Sequence, residues 1–199
     1  SCGKDKPVTS EANEVLTETD GVLYKVDTMN SRIEWKGYKV LKSDQTTHFG
    51  EIKFESGDVT VKDGKLQSGK FVADITTLEN IDLKDDQEMK AKLEGHLKSG
   101  DFFEVEKFPT ASYEITKVTE NTAGDYNTLL EGNLTIKGIT KPVQFKANVT
   151  VADGNVSIAS EPTDINREDF GLKFELPLEN GLLNKEINLQ ILVKALESK

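Results

Sequence analysis

Apolar and polar residues alternate with a period of two through most of this chain from residue 22 onward. In segment 142–152, for example, Val143, Phe145 and Ala147 share one face, and Gln144 and Lys146 lie on the other. A strand with one apolar and one solvent-exposed polar face is typical of an antiparallel sheet that packs around a hydrophobic interior. With Gly, Asn and Asp as breaks between segments, the pattern predicts strands at 22–28, 31–40, 46–61, 65–75, 110–119, 126–138, 142–152, 156–168 and 186–196.

Eight or nine strands is a number at which an antiparallel sheet can close on itself. A barrel of this size encloses either packed side chains or one slim ligand. The pattern therefore predicts an all-β protein with an antiparallel barrel, and leaves open what fills the barrel.

One segment, residues 83–97, has the pattern of a helix instead. Three aspartates between 82 and 86 suit a helix N-terminus, where the helix dipole favours negative charge. Met89, Leu93 and Leu97 then fall on a single stripe. Residues 170–184 have no clean period, and we expect a loop that packs across a barrel mouth.

The residues predicted to point inward combine large and small side chains. The small ones could leave room for an apolar channel, but glycines also relieve strand curvature and aromatics commonly fill cores. The inward set contains Trp35, Phe54, Phe71 and Phe145 together with Gly37, Gly50, Gly69, Ala73, Gly132 and Ala147. If a channel exists, Gly132→Phe or Ala147→Trp should fill it, abolish ligand uptake and leave the fold intact.

Composition narrows the class of partner. The formal net charge of −10 makes nucleic acid an unfavourable partner, because an acidic surface repels phosphate backbones. No run of residues approaches the roughly 18 apolar positions of a membrane-spanning helix.

The lone cysteine, Cys2, precedes a polar stretch. Residues 1–6 (SCGKDK) resemble the end of a bacterial lipoprotein signal, in which the cysteine becomes acylated, although a processed lipoprotein would begin at the cysteine and not at Ser1. Residues 1–20 would then be the lipoprotein N-terminus and a flexible tether, and residues 21–199 the folded domain. This interpretation predicts a lipid-anchored protein of the bacterial cell envelope, on the periplasmic side or the outer surface. The alternative is a stray thiol at a frayed terminus.

Several ordered motifs resemble those of the YceI-like family. The two strongest lie at 95–113 and 132–143, and the others follow the same order along the chain. They read GHLKSGDFF at 95–103 with FPTASY at 108–113, GNLTIKGITKPV at 132–143, VD at 26–27, SRIEW at 31–35, HFGEIKF at 48–54, GKFVADI at 69–75 and INREDFG at 165–171.

This resemblance implies an extended antiparallel eight-stranded lipocalin-like β-barrel with one helix, enclosing an apolar channel. It further implies non-catalytic binding and transport or storage of a long isoprenoid lipid, of the polyprenyl phosphate or quinone type, with no cofactor. The expected channel residues are Trp35, Gly37, His48, Gly50, Ile52, Phe54, Phe71, Ala73, Leu134, Phe145, Ala147 and Ile191. Arg167 is a head-group candidate, since a guanidinium suits phosphate oxygens; the alternative is a structural role in a loop motif that ties strands together.

Residues that usually carry catalysis are sparse. The two histidines are His48 and His96; Glu94 and Asp101 near His96 make a weak metal site conceivable, but a third ligand near both histidines is not evident. We therefore predict neither an enzyme nor a metal site. We expect His96 to hydrogen-bond at the C-terminal end of the helix, and His48 to lie in the barrel wall.

Two other functions remain open at this point. The chain could be a stress-related envelope interaction module with a packed barrel and no lipid, or an accessory factor that delivers a quinone or isoprenoid to a membrane enzyme. The sequence leaves the oligomeric state open, a dimer included.

Overall fold

A computed structural model describes residues 12–14, 20–41, 44–173 and 182–199. Within these ranges the chain forms one α-helix, α1 (Gln87–Lys98), a short 3-10 helix (Arg167–Phe170) and ten strands. The strands are β1 (Val22–Val26), β2 (Arg32–Leu41), β3 (Asp44–Lys62), β4 (Lys65–Asn80), β5 (Thr110–Glu120), β6 (Thr128–Ile136), β7 (Ile139–Ala152), β8 (Asn155–Ser160), β9 (Thr163–Asn166) and β10 (Leu182–Glu197).

The strands close into an antiparallel barrel. From β10 the order runs through β2, β3, β4, β5, β6, β7 and β8, and β8 pairs again with β10. Strands β1 and β2 both pair with β10 and β3, so they share one position around the barrel. Strands β8 and β9 share another, because both pair with β10. Ten strands therefore occupy eight positions, and the predicted eight-stranded fold with one helix is confirmed.

Two serine hydroxyls replace the missing strand partners where these shared positions are interrupted. Between β1 and β2, Ser31 Oγ accepts from Lys194 N at 2.9 Å and donates to Lys194 O at 3.2 Å. Between β8 and β9, Ser160 Oγ accepts from Ile191 N at 2.8 Å. The backbone of β10 thus keeps its hydrogen bonds along the seam that closes the barrel.

The predicted inward faces are confirmed. Along β6, Leu130, Leu134 and Ile136 are buried, and along β7 Phe145 and Ala147 are buried while Gln144 and Lys146 are exposed. The deepest part of the core, with side chains under 2% exposed, includes Phe145, Ile115, Ile158, Val59, Val156 and Val193.

Two-residue turns join three of the hairpins more tightly than the sequence suggested. Lys137 and Gly138, with φ of 53° and 76°, form the whole turn between β6 and β7, so β7 begins at Ile139 and not at residue 142. Asp63-Gly64 and Asp153-Gly154 have the same left-handed backbone. Such turns match the twist of the strands that they join.

The helix begins later than predicted. Asp86 is its N-cap, and Asp86 Oδ1 accepts from Met89 N at 3.1 Å, so α1 starts at Gln87 and not at residue 83. Leu93 and Leu97 pack against the core as expected, whereas Met89 is 48% exposed and does not belong to the buried stripe.

The predicted strand at 156–168 and the loop at 170–184 also differ from the structure. Residues 161–162 interrupt the strand, and Arg167–Phe170 turn into a 3-10 helix capped by Gly171 at φ 68°. Strand β10 begins at Leu182, and residues 174–181 of the expected loop lie outside the described residues.

The N-terminal segment is described only in part. Cys2 lies outside the described residues, and Asn13 exchanges two hydrogen bonds with the Asn133 side chain, of 2.9 and 2.7 Å. Asp20 forms an ion pair with Lys62 at the start of the barrel. In the ranges that the structure describes, no helix is long and apolar enough to cross a bilayer.

Candidate functional site

An apolar cavity of about 60 Å³ lies inside the barrel. Most of its wall comes from inward-facing side chains of β2 to β7 and β10, and its lining is almost wholly apolar. Seven of the twelve predicted channel residues line it: Ile52, Phe54, Phe71, Ala73, Leu134, Phe145 and Ile191. The arrangement can bury hydrocarbon but offers almost no polar group to orient a ligand.

A second apolar cavity, of about 50 Å³, lies towards the helix. The predicted residues Trp35 and Gly37 line it, together with Leu97 from α1 and Phe102. Trp35 is 7% exposed, and its indole N–H donates to Glu79 O at 3.2 Å, which fixes the ring. Gly37 is the inward glycine that leaves open space, because a Cβ placed there would meet no heavy atom within 4 Å.

Four side chains line both cavities and so form the partition between them. They are Ile52, Phe103, Ile187 and Leu189. Of these, Phe103 alone comes from outside the strands. A ligand longer than one cavity would have to displace part of this partition.

The aromatic pair Phe102 and Phe103 holds the helix against the barrel. Both rings are buried, and they contact each other edge to face with centroids 4.9 Å apart. The sequence motif at 95–103 contains this pair, but the pair was not assigned to the site. Two adjacent phenylalanines in an otherwise polar stretch could have indicated that this segment is buried.

Tyr113 and Phe145 line the larger cavity at the end that lies away from the helix. Their rings meet edge to face with centroids 5.1 Å apart. The Tyr113 hydroxyl donates to Val143 O at 2.8 Å, and burial raises the pKa of Tyr113 well above its ordinary value. The hydroxyl is therefore neutral and fixed. The sequence missed Tyr113, although it occupies an inward position of a predicted strand.

Apart from Gly37, the inward glycines Gly50, Gly69 and Gly132 do not provide room, contrary to one expectation. A Cβ on Gly50 would lie 1.8 Å from Glu79 O, and one on Gly132 would lie 2.5 Å from Tyr113 Cζ. These glycines mark places where a neighbouring strand or ring approaches closely. Ala147 is completely buried and is not among the residues around either cavity. Gly132→Phe and Ala147→Trp should therefore disturb the packing itself, and we withdraw the expectation that they leave the fold intact.

His48 lies in the barrel wall near the helix end and outside the lining of both apolar cavities. His48 Nδ1 is 2.7 Å from Asp82 Oδ2, and Asp82 Oδ1 accepts from Phe49 N at 2.7 Å and Asn80 Nδ2 at 2.6 Å. Burial alone would raise the pKa of Asp82, but these hydrogen bonds outweigh it and lower that pKa. The pair therefore fastens the segment that precedes α1 to β3.

Glu94, one of the residues considered for a weak metal site, has other partners. Glu94 accepts hydrogen bonds from Asn80 N and Lys90 Nζ, both at 2.7 Å. Across the described part of the chain, no three His, Cys, Asp or Glu side chains are grouped so that they could hold a metal ion.

Arg167 is buried and donates to backbone carbonyls on both sides of segment 173–183. Its Nη1 donates to Leu172 O at 2.6 Å and its Nε to Asn184 O at 2.9 Å. Burial lowers its pKa, and Glu168 partly offsets that effect. This geometry links Leu172 to Asn184 and does not place Arg167 on either apolar cavity.

Within the described residues the strands close into an antiparallel barrel with an apolar interior, and barrels of this size enclose either packed side chains or one slim ligand. The family model described as YceI-like domain matches residues 24–195, and the chain belongs to that family. The resemblance read from the sequence motifs is thus confirmed.

Relatives are found across bacteria. A UPF0312 protein of Pseudomonas paraeruginosa is 30% identical over 186 residues, covering 87% of this chain and 86% of the relative. A UPF0312 protein of Staphylococcus aureus is 35% identical over 105 residues, but the match covers 49% of this chain and 57% of that protein. The chain therefore matches little more than half of the staphylococcal relative.

Solved structures support the fold at lower identity. Burkholderia cenocepacia BcnA has a TM-score of 0.66 at 19% identity, covering 85% of this chain and 98% of that one. A polyisoprenoid binding domain from Saccharophagus degradans, implicated in plant cell wall breakdown, has a TM-score of 0.61 at 12% identity, covering 89% and 99%. The YceI protein of Campylobacter jejuni gives 0.54 at 19% identity, covering 73% and 84%.

Proposed function

We propose that this chain binds an isoprenoid lipid, of the polyprenyl phosphate or quinone type, in the barrel interior without catalysing a reaction. The observation that carries the proposal is the pair of adjoining apolar cavities inside a closed barrel. The polyisoprenoid binding domain from Saccharophagus degradans, which has the same fold, supports the choice of ligand class.

Burial of the tail supplies the affinity in this account. Each buried methylene contributes about 0.8 kcal/mol, so a few isoprene units bind well without a specific contact. The nearly complete lack of polar lining means that the interior discriminates poorly between head groups. We place the head group at the helix end of the barrel, where the charged residues Lys36 and Glu186 lie next to inward residues of the second cavity.

Binding requires the interior to open. The cavities hold about 60 and 50 Å³, whereas sites for small organic ligands commonly span roughly 300 Å³ or more. The side chains that must move are those of the partition, above all Phe103, since it is not part of a strand. Entry from the helix end brings the tail to the partition first.

We further propose that the protein is anchored in the bacterial cell envelope by an acylated Cys2. The polar residues between Cys2 and Asp20 would then link the barrel to the membrane from which it takes its ligand. A protein anchored close to a bilayer that shields a lipid tail from water could transport or store that lipid.

Native mass spectrometry with solvent extraction tests the proposal. The protein is expressed with its lipid signal in a Gram-negative host and purified in mild detergent. A stoichiometric isoprenoid or quinone is the expected result. A protein that arrives empty and takes up no added prenyl phosphate would contradict it.

The small cavity volumes favour one second candidate, an envelope interaction module whose barrel is packed and binds no lipid. The exposed aromatic ring of Phe49, 41% exposed beside Ile81, is an apolar feature on its outer surface. This candidate predicts that no lipid copurifies and that cavity substitutions alter stability alone.

A further inference from the structure

We infer that the outer face of β6 is a docking site for the chain's own N-terminal segment, and that Asn133 binds this segment through the backbone of Asn13. Docking shortens the tether between Cys2 and the barrel, and so holds the barrel close to the bilayer. The docking itself is independent of any ligand. Its effect on the distance to the bilayer rests on the proposed anchoring at Cys2.

Asn133 breaks the alternation of β6. The even-numbered residues of this strand are buried in the barrel, and the outward residues Leu129, Glu131 and Thr135 are only half-buried. Asn133 also belongs to the outward set, yet it is 8% exposed. The side chain is therefore covered from outside the barrel at this one position of the strand.

The cover includes the described residues 12–14. Asn13 N donates to Asn133 Oδ1 at 2.9 Å, and Asn133 Nδ2 donates to Asn13 O at 2.7 Å. A side-chain amide carries the same donor and acceptor as a peptide group, so the pair reproduces the exchange between opposite residues of an antiparallel sheet. The two residues are 120 positions apart, so local chain geometry does not impose this contact.

Asn133 recognises the backbone of the segment and not its side chain. Both contacts use the N–H and C=O groups of Asn13, which every residue except proline carries, and Asn13 itself is exposed. Replacement of the Asn13 side chain should therefore preserve docking. Proline at this position should release the segment, because it has no N–H to donate.

Docking is an equilibrium and not a permanent attachment. Two neutral hydrogen bonds each make a modest net contribution to stability. When the segment leaves, water can reach Asn133 on the outer face and take over both hydrogen bonds. The next described attachment along the chain is the ion pair of Asp20 with Lys62, at the opposite end of the barrel.

The equilibrium changes how far the barrel can lie from Cys2. Eleven residue steps separate Cys2 from Asn13, and eighteen separate it from Asp20. An extended chain therefore spans at most about 38 Å when the segment is docked and about 60 Å when it is released. Release thus extends the reach of the tether by more than half.

The docking point lies near the helix end of the barrel. Asn133 is three residue steps from Ile136, the last residue of β6, which is about 10 Å at ~3.3 Å per residue. Ile136 and Phe103 line the same cavity, so this end of β6 is the end covered by the segment after α1. The docked tether therefore keeps the expected lipid entrance within reach of the bilayer.

Proteolysis tests docking in the full chain without any lipid. A glutamyl endopeptidase cuts after Glu14, and the segment must leave the barrel before the protease can bind it. We expect Asn133→Leu and Asn13→Pro to raise the rate of this cut, followed by mass spectrometry, by about tenfold or more. A peptide of residues 8–20 corrects for any effect of proline on the protease. Asn13→Pro lies outside the barrel strands and leaves their folding unaffected.

Asn13→Ala and Glu131→Gln are the matched controls. Asn13→Ala keeps the docked backbone, and Glu131 lies two residues from Asn133 on the same outer face. Both should be cut at the rate of the unchanged chain. If Asn133→Leu and Asn13→Pro are also cut at that rate, the docking site is overturned and the lipid-binding proposal still stands.

A vesicle assay tests the effect on distance. The chain has one cysteine and one tryptophan, so Cys2 can be coupled to a maleimide lipid in phosphatidylcholine vesicles, and energy transfer from Trp35 to a dansyl lipid reports the distance to the bilayer. We expect transfer to fall by about twofold or more in Asn133→Leu and Asn13→Pro, because their tethers reach farther, and to stay unchanged in the controls. Equal transfer in all variants would overturn the effect on distance. Failure of the proposed function would appear separately, as an empty barrel in native mass spectrometry.

Discussion

The backbone amide of Phe103 donates to the carbonyl oxygen of Leu97 at 2.9 Å, so the last turn of α1 and the ring that divides the two cavities form one unit. Leu97 itself lines the second cavity. Movement of the end of the helix therefore moves the partition. This coupling makes the helix end the expected point of entry for a lipid tail.

Phe103→Ala should join the two cavities. We expect a loss of about 3 kcal/mol in the free energy of unfolding, because a buried ring is removed, together with faster uptake of farnesyl phosphate. Urea unfolding and stopped-flow emission of Trp35 measure the two effects. Phe102→Ala is the control, because Phe102 lines only the second cavity and should cost similar stability with a smaller gain in rate. Slower uptake in Phe103→Ala would contradict the role given to Phe103.

Ala73→Leu should fill the larger cavity from a position that has room. Ala73 lines that cavity, unlike Ala147, and added methyl groups there occupy space that the tail needs. We expect affinity for farnesyl phosphate to fall by about tenfold or more while the protein stays folded. Val72→Leu, on the opposite face of β4, should bind as the unchanged chain does. If the two variants bind farnesyl phosphate with equal affinity, Ala73 does not line the binding site.

Arg167→Lys separates a structural role from a head-group role. A lysine cannot donate to Leu172 O and Asn184 O in the same forked geometry, so we expect a loss of about 2 kcal/mol in the free energy of unfolding. The ratio of affinities for farnesyl phosphate and farnesol should stay unchanged. Calorimetry gives the stability and competition binding gives the ratio. If the ratio of the two affinities falls towards one in Arg167→Lys, Arg167 contacts the phosphate.

Asp82 should contribute to loss of stability in acid. Its pKa in the folded protein lies below its ordinary value of 3.8, so its contribution is present above that value and is lost as the pH falls through the lowered pKa. Asp82→Asn keeps one oxygen acceptor and removes the titration. The free energy of unfolding, measured by urea titration between about pH 5 and pH 3, should therefore fall less steeply in Asp82→Asn. If the free energy of unfolding falls equally steeply with pH in both proteins, Asp82 does not contribute to the loss of stability in acid.

The sequence predicted the barrel well because burial on one face imposes a period of two, which β6, β7 and β10 all obey. Its errors came from contacts that local patterns do not encode. Gly50 and Gly132 looked like open positions, yet a neighbouring strand and the Tyr113 ring occupy the space beside them.

The site was predicted only in part for a related reason. Seven of the predicted inward positions line the larger cavity, since alternation fixes which face of the strand they occupy. Phe103 was not assigned, because its place in the interior depends on how the segment after α1 folds back over the barrel. Arg167 could be predicted as a head-group ligand or as a structural tie, and only the tertiary fold places its guanidinium against Leu172 O and Asn184 O.

Photocrosslinking can show whether the lipid tail lies inside the barrel. A farnesyl phosphate analogue with a diazirine at the far end of its tail is bound to the full chain, irradiated, and mapped by peptide mass spectrometry. The account predicts labels on the inward residues around the larger cavity, such as Ala73, Leu134 and Phe145. Labels confined to the outer surface, for instance around Phe49, or labelling unaffected by Ala73→Leu, would show that the barrel interior is not where the lipid binds.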